Sequence, residues 1–159
     1  MRTVLFIYFA FITSLVQAQN PYELAILTNA NQMAAGLING DVRLVATYTH
    51  PTIVQLMGGA DKMETAMKKS GANVKIVDVT FGKPSAVITS GKELQCVVPQ
   101  RITVQLPQGS MKSNSSLIAF SFDNGRSWVF ADTSPGIEKM RKAIPNISPK
   151  LVIPARQQR

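Results

Sequence analysis

The dominant spacing of apolar residues changes along the chain, and that change restricts the fold more than any motif does. Between residues 20 and 70 the apolar positions recur mainly at helical spacing, interrupted by one short β-rich stretch at 52–57; between 74 and 133 they alternate with polar ones, the period of a strand. Helices gathered ahead of a run of strands make an α+β layer structure, with the helices covering a face of a mainly antiparallel sheet. No internal repeat or low-complexity linker breaks the pattern, so a single domain is expected.

Local signals give the elements. Asn20-Pro21-Tyr22-Glu23 has the capping and first-turn residues of a helix start, and Leu24, Leu27, Ala34 or Ala35, and Ile38 form its apolar face. Asn39-Gly40 supplies a left-handed stop and Asp41 caps a second helix carrying Val42, Leu44, Val45 and Tyr48. Pro51 biases His50 out of the helical region and ends that helix. The following TIVQLM (52–57) is rich in β-branched residues and reads as a short edge strand. Gly58-Gly59 breaks it, and 60–70 reads as a helix with Met63, Ala66 and Met67 inward, stopped by Gly71. Strands are expected over 74–81, 85–89, 92–99, 101–106, 112–122 and 126–132, with Asn124-Gly125 as the strongest hairpin signal. Ser134-Pro135 opens a short basic helix, followed by a proline-punctuated tail with one apolar hook, Leu151-Val152-Ile153.

The N-terminus has a different purpose. Arg2, an apolar run over 4–16 and Val16-Gln17-Ala18 have the layout of a secretory signal peptide at 1–18, cleaved to leave Gln19 first. Export to the periplasm or medium follows as an expectation. The rest divides into an α+β domain at 19–145 and a basic tail at 146–159. The single Cys96 forms no internal disulfide and sits in an apolar run, which suits a buried, inert thiol. The net charge of +8 is unevenly spread: no acid follows Glu138, whereas Lys139, Arg141, Lys142, Lys150, Arg156 and Arg159 do. A basic end on a nearly neutral body suits weak contact with an anionic envelope surface, or serves solubility alone. Nucleic acid is not the expected partner, since the tail has no aromatic residue for base stacking.

Element order, the TYTHP that ends the second helix (47–51) and the GGADKM that opens the later one (58–63) resemble the nuclear-transport-factor-2-like superfamily. More narrowly, the chain resembles small exported bacterial members of unassigned activity. The resemblance implies a cone-shaped (cystatin-like) fold, with N-terminal helices packed on a curved, mainly antiparallel sheet around a pocket. It also implies a homodimer through the outer sheet face as a common arrangement. In the ketosteroid-isomerase-like and polyketide-cyclase-like enzymes of that superfamily, an Asp or His facing the cone serves as the base.

Candidates for that role are His50, Asp78 and Asp132, none of them committed as catalytic. His50 is the only histidine and the only side chain whose ordinary pKa lies near neutrality. At a helix C-terminus the dipole favours its charged form, and a helix-ending residue bonded to nearby carbonyls is the simpler reading. Trp128, Phe130 and Asp132 alternate onto one strand face, either as a pocket wall or as a packed face with Asp132 capping the next turn. Asp78 interrupts an apolar strand and needs a partner such as Arg101 if its face is buried. The ligand-binding set is therefore Tyr48, His50, Gln95, Arg101, Trp128, Phe130 and Asp132. One His and one Cys do not make a dedicated zinc site, no phosphate-loop or nucleophile-elbow motif occurs, and no cofactor is expected. Three functions remain open: a non-catalytic domain binding a small apolar or amphipathic ligand or a protein partner, an isomerase, dehydratase or cyclase-like enzyme, and an envelope-associated protein acting through its basic tail.

Overall fold

The computed structural model describes residues 20–70, 75–154 and 157–158. The expected leader at 1–18, the Gly71 stop and the charges of Arg156 and Arg159 lie outside the described residues. Four helices, α1 (Glu23–Asn39), α2 (Val42–Tyr48), α3 (Pro51–Leu56) and α4 (Ala60–Ser70), precede the sheet. The strands are β1 (Lys75–Phe81), β2 (Ile88–Ser90), β3 (Glu93–Leu106), β4 (Gly109–Ser121) and β5 (Val129–Asp132). Helix α5 (Ile137–Ala143) and a short β6 (Gln157–Gln158) follow. The sheet runs β1-β3-β4-β5, with β2 on β3 and β6 on β4, every strand pairing antiparallel. The fold is thus α+β with an open antiparallel sheet.

The helical hairpin forms where the sequence signals put it. Gly40 closes α1 at φ 70°, and the Asp41 side chain accepts from the Leu44 amide to cap α2. Such a cap contributes about 1 kcal/mol. The two helices approach at Gly36, where an added Cβ would meet Val45 Cγ2 at 2.9 Å. The buried stripe of α1 overlaps the expected one only in part. Ile26, Ala30 and Met33 face the core, with the expected Ala34 buried and Leu27 half-buried beside them, whereas Leu24 is 81% and Ile38 37% exposed. On α4, Met63 is buried and Met67 half-buried, but Ala66 is exposed.

The expected strand over 52–57 is instead helix α3. Pro51 sits in its first turn, and His50 is its N-cap, with Nδ1 accepting from the Thr52 amide at 3.2 Å. The His50 carbonyl also accepts from the amides of Ile53 and Val54. Capping and the fixed proline φ override the β-branched propensity of Thr52, Ile53 and Val54. The second helix does end just before His50, with Thr49 as its C-cap, but His50 also begins α3, and an N-cap position opposes the dipole argument for its charged form.

The strands expected over 92–99 and 101–106 are one continuous 14-residue β3, paired with β4 from Leu94 to Leu106. Pro99 is tolerated within it because its missing N–H faces the gap between β1 and β2, where Gly82 N bonds the Pro99 carbonyl at 2.8 Å. Asn124 and Gly125 both take positive φ, 61° and 86°, as the turn signal requires, but within a longer connection from Ser121 to Val129. Asp123 organises that connection by accepting from the amides of Arg126 and Ser127 and from the hydroxyls of Ser121 and Ser127.

Both faces of the central strands are covered. On one, Cys96, Val98, Leu117, Ala119, Trp128 and Phe130 pack under α1, α2 and α4. On the other, Val97, Ile118, Phe120 and Ala131 pack under Met140, Ile144, Ile147 and Leu151. Ile147 and Leu151 are thus part of a second core, while Val152, in the middle of the apolar hook, is 85% exposed.

Candidate functional site

An apolar cavity of about 360 Å³ lies between the helices and the first sheet face. Its walls are Met33 and Leu37 of α1, Val45 of α2, Ile53 of α3, Met63 and Met67 of α4, and Ile76, Ile102, Leu117 and Phe130 of the sheet. Met57, just past α3, and Met140 complete it, so five of the chain's seven methionines line one space. Unbranched thioether side chains adapt to the outline of a guest better than Val, Ile or Leu do.

Three polar residues reach this cavity: Gln100, Thr49 and Asp132. The Thr49 hydroxyl donates to the Val45 carbonyl at 2.8 Å. Asp132 Oδ1 accepts from the Ser134 amide and hydroxyl at 2.8 and 2.7 Å, which is the turn-capping role open to it from sequence. Gln100, 4% exposed, donates through Nε2 to Ser115 Oγ across the β3–β4 ladder at 2.9 Å. That bond orients the carboxamide and keeps its oxygen for another donor. Gln100 was not singled out from sequence, although a lone amide between Val98 and Ile102 on one strand face was the signal for it.

The sequence-derived candidates scatter. Phe130 and Asp132 line the cavity; Tyr48 packs half-buried against the first core and Trp128 within it. The Trp128 indole donates to the Gly125 carbonyl and its backbone amide to Asn29 Oδ1, both structural uses. Gln95 is fully buried but binds Glu93, Asn146 and the Ser148 amide, securing the C-terminal segment. Asp78 is exposed at the β1 bulge and is not buried against Arg101. Arg101, also exposed, donates to Asn114 in a polar groove on the outer face, with Thr80, Ser116 and Pro154. Cys96 is buried in the core, which pushes its thiol up to about 12 and makes it inert.

His50 is 5% exposed and stands outside the cavity lining, its ring against Phe120 (4.6 Å between centroids) and Phe122 (5.7 Å). Burial lowers its pKa below the ordinary 6.5, opposite to the expectation for a helix C-terminus. Asp132, bound to Ser134, is the only titratable group among the described residues that line the cavity. Among the described residues no three His, Cys, Asp or Glu side chains come together to hold a metal ion. What the space offers is apolar contact, one oriented amide and a polar rim. Neither a scan against known protein families nor a search of curated proteins returns a match to this chain.

Proposed function

We propose that this chain is an exported, nuclear-transport-factor-2-like domain that binds a small apolar or amphipathic molecule between its helices and sheet. The observation that carries the reading is the methionine-rich cavity with a single oriented carboxamide, Gln100. About 360 Å³ lies within the range of small-molecule sites, roughly 300–1,000 Å³. The guest best matched to it has an apolar body and one hydrogen-bond donor for the Gln100 oxygen, with its more polar end at Asp132. Element order supports the superfamily assignment, with α3 as the departure from the pattern, and the apolar run at 4–16 supports export. A binding role is favoured over acid–base chemistry because the latter needs two titratable groups converging in one pocket.

The test is native mass spectrometry of the protein purified as residues 19–159, followed by mass analysis of whatever denaturation releases. A co-purifying small molecule is expected from the wild type and not from Met67→Trp, which fills the space. Gln100→Leu is expected to weaken binding of the neutral probe N-phenyl-1-naphthylamine by about five- to tenfold, the worth of one hydrogen bond. Absence of both a co-purifying molecule and probe binding would overturn the proposal, as would unchanged binding in Met67→Trp.

A second reading concerns the surface. Lys139, Lys142 and Lys150 are all exposed on the side built by α5 and the tail, which favours contact with an anionic envelope surface.

A further inference from the structure

His50 is the only buried side-chain nitrogen or oxygen among the described residues with an unpartnered atom, Nε2. Because Nδ1 accepts from Thr52, the proton of the neutral ring sits on Nε2, pointing among aromatic side chains. The backbone of the same residue is clamped twice. Its amide donates to the Phe130 carbonyl of β5 at 2.8 Å, and its carbonyl receives the first turn of α3. One residue therefore joins the sheet edge to the start of α3, through its backbone to Phe130 and through its ring to Thr52, and α3 with Met57 supplies a wall of the cavity through Ile53 and Met57.

We propose that His50 is a proton-operated latch: neutral (the closed latch), it holds the start of α3 in place as part of the cavity wall, and protonated, it releases the start of α3 and loosens that wall. The chemistry is a simple proton uptake at Nδ1. The new N–H faces the Thr52 N–H that it had accepted from, so the cap is lost, and a positive charge is created on a residue that is buried. The faces of Phe120 and Phe122 offset part of that charge but do not replace the cap.

Among the described residues no carboxylate pairs with the ring. β4 runs on into Asp123, whose carboxylate is occupied by Ser121, Arg126 and Ser127, and β5 ends at Asp132, which binds Ser134. Helix α3 carries no charged side chain, Arg43 of α2 bonds Asp61, and Glu138 and Arg141 of α5 pair with each other. Burial depresses the ring's pKa in the closed state, so the open state binds the proton more tightly. Closure is thus complete above about pH 6.5 and is lost progressively as pH falls below it.

The ligand part of this inference rests on the cavity reading above; the latch itself is testable without it. As the chain's only histidine, His50 gives one set of imidazole signals in a proton NMR titration. Its midpoint is expected below 6.5, with the protection of the Thr52 amide, relative to the intrinsic exchange rate at each pH, falling over the same interval. Dissociation of N-phenyl-1-naphthylamine should speed up between pH 7.5 and 5, by up to roughly tenfold per unit of depression in that midpoint. His50→Asn, which keeps a capping oxygen and cannot titrate, should show the same dissociation rate at both values. A wild-type ring titrating at or above 6.5, Thr52 protection indifferent to it, or an acid response retained in His50→Asn would each overturn the latch. If the probe binds at no pH, the cavity reading fails, and the ring and Thr52 signals alone decide the latch.

Discussion

At Gly36 two small effects compete. A methyl group there would raise the helix propensity of α1 by about 1 kcal/mol. It would also meet Val45 Cγ2 at 2.9 Å and the Asp41 carbonyl and Val45 amide nitrogen at 3.1 Å. Two of those three atoms are backbone and cannot swing aside, so overpacking, about 1–3 kcal/mol, prevails. Gly36→Ala is expected to lower stability by about 1 kcal/mol, read as an earlier denaturant midpoint at unchanged slope. Asp123 poses a different question, because its hydrogen bonds hold its carboxyl down to about 2. The folded value lies below the ordinary 3.8, so this residue's stabilisation is present above that value and is lost as pH falls towards 2. Asp123→Ala should cost about 1–2 kcal/mol at pH 7 and flatten the acid limb of a stability-versus-pH curve. The Gly36 contact was invisible in sequence because it depends on how two helices meet.

Between elements, what was legible followed local chemistry. Gly40, Asp41 and the Asn124-Gly125 turn act through their own backbone or that of near neighbours, and each is where its residue type put it. Segment 52–57 was misread because its side chains favour a strand while its fate is decided by His50 and Pro51 before it. Gln100 escaped notice for a related reason: only the pairing with Ser115 shows that its amide is held beside an empty space. The C-terminal hook was legible as an apolar trio, yet Leu151 alone of the three is buried. Together with Ile144 and Ile147 it covers Val97, Ile118 and Phe120. Leu151→Ala should therefore destabilise the whole domain by about 2–3 kcal/mol, measured by chemical denaturation. A freely solvated tail would give no change.

For the whole molecule, that second core alters what the basic end can do and how it should be tested. A homodimer through the outer sheet face would have to use the polar half around Thr80, Arg101 and Asn114, because the chain's own C-terminal segment occupies the apolar half. Deleting everything after Glu138 would remove Met140, Ile144, Ile147 and Leu151 along with the charges, so lost surface binding would report unfolding as readily as lost attraction. Reversing charge at exposed positions separates the two. Lys139→Glu, Lys142→Glu and Lys150→Glu together leave the buried residues untouched and shift the net charge by six units. Attraction of separated surface charges to an anionic layer decays over about 8–10 Å at physiological salt, so the effect should be strong at low salt and fade as salt rises. In a vesicle sedimentation assay with anionic phospholipid, the triple variant is expected to stay in the supernatant at low salt, where the wild type pellets. Its denaturation midpoint and probe binding should match the wild type's. Equal pelleting of the two proteins would remove the basic end from the function and leave the cavity as the feature to explain.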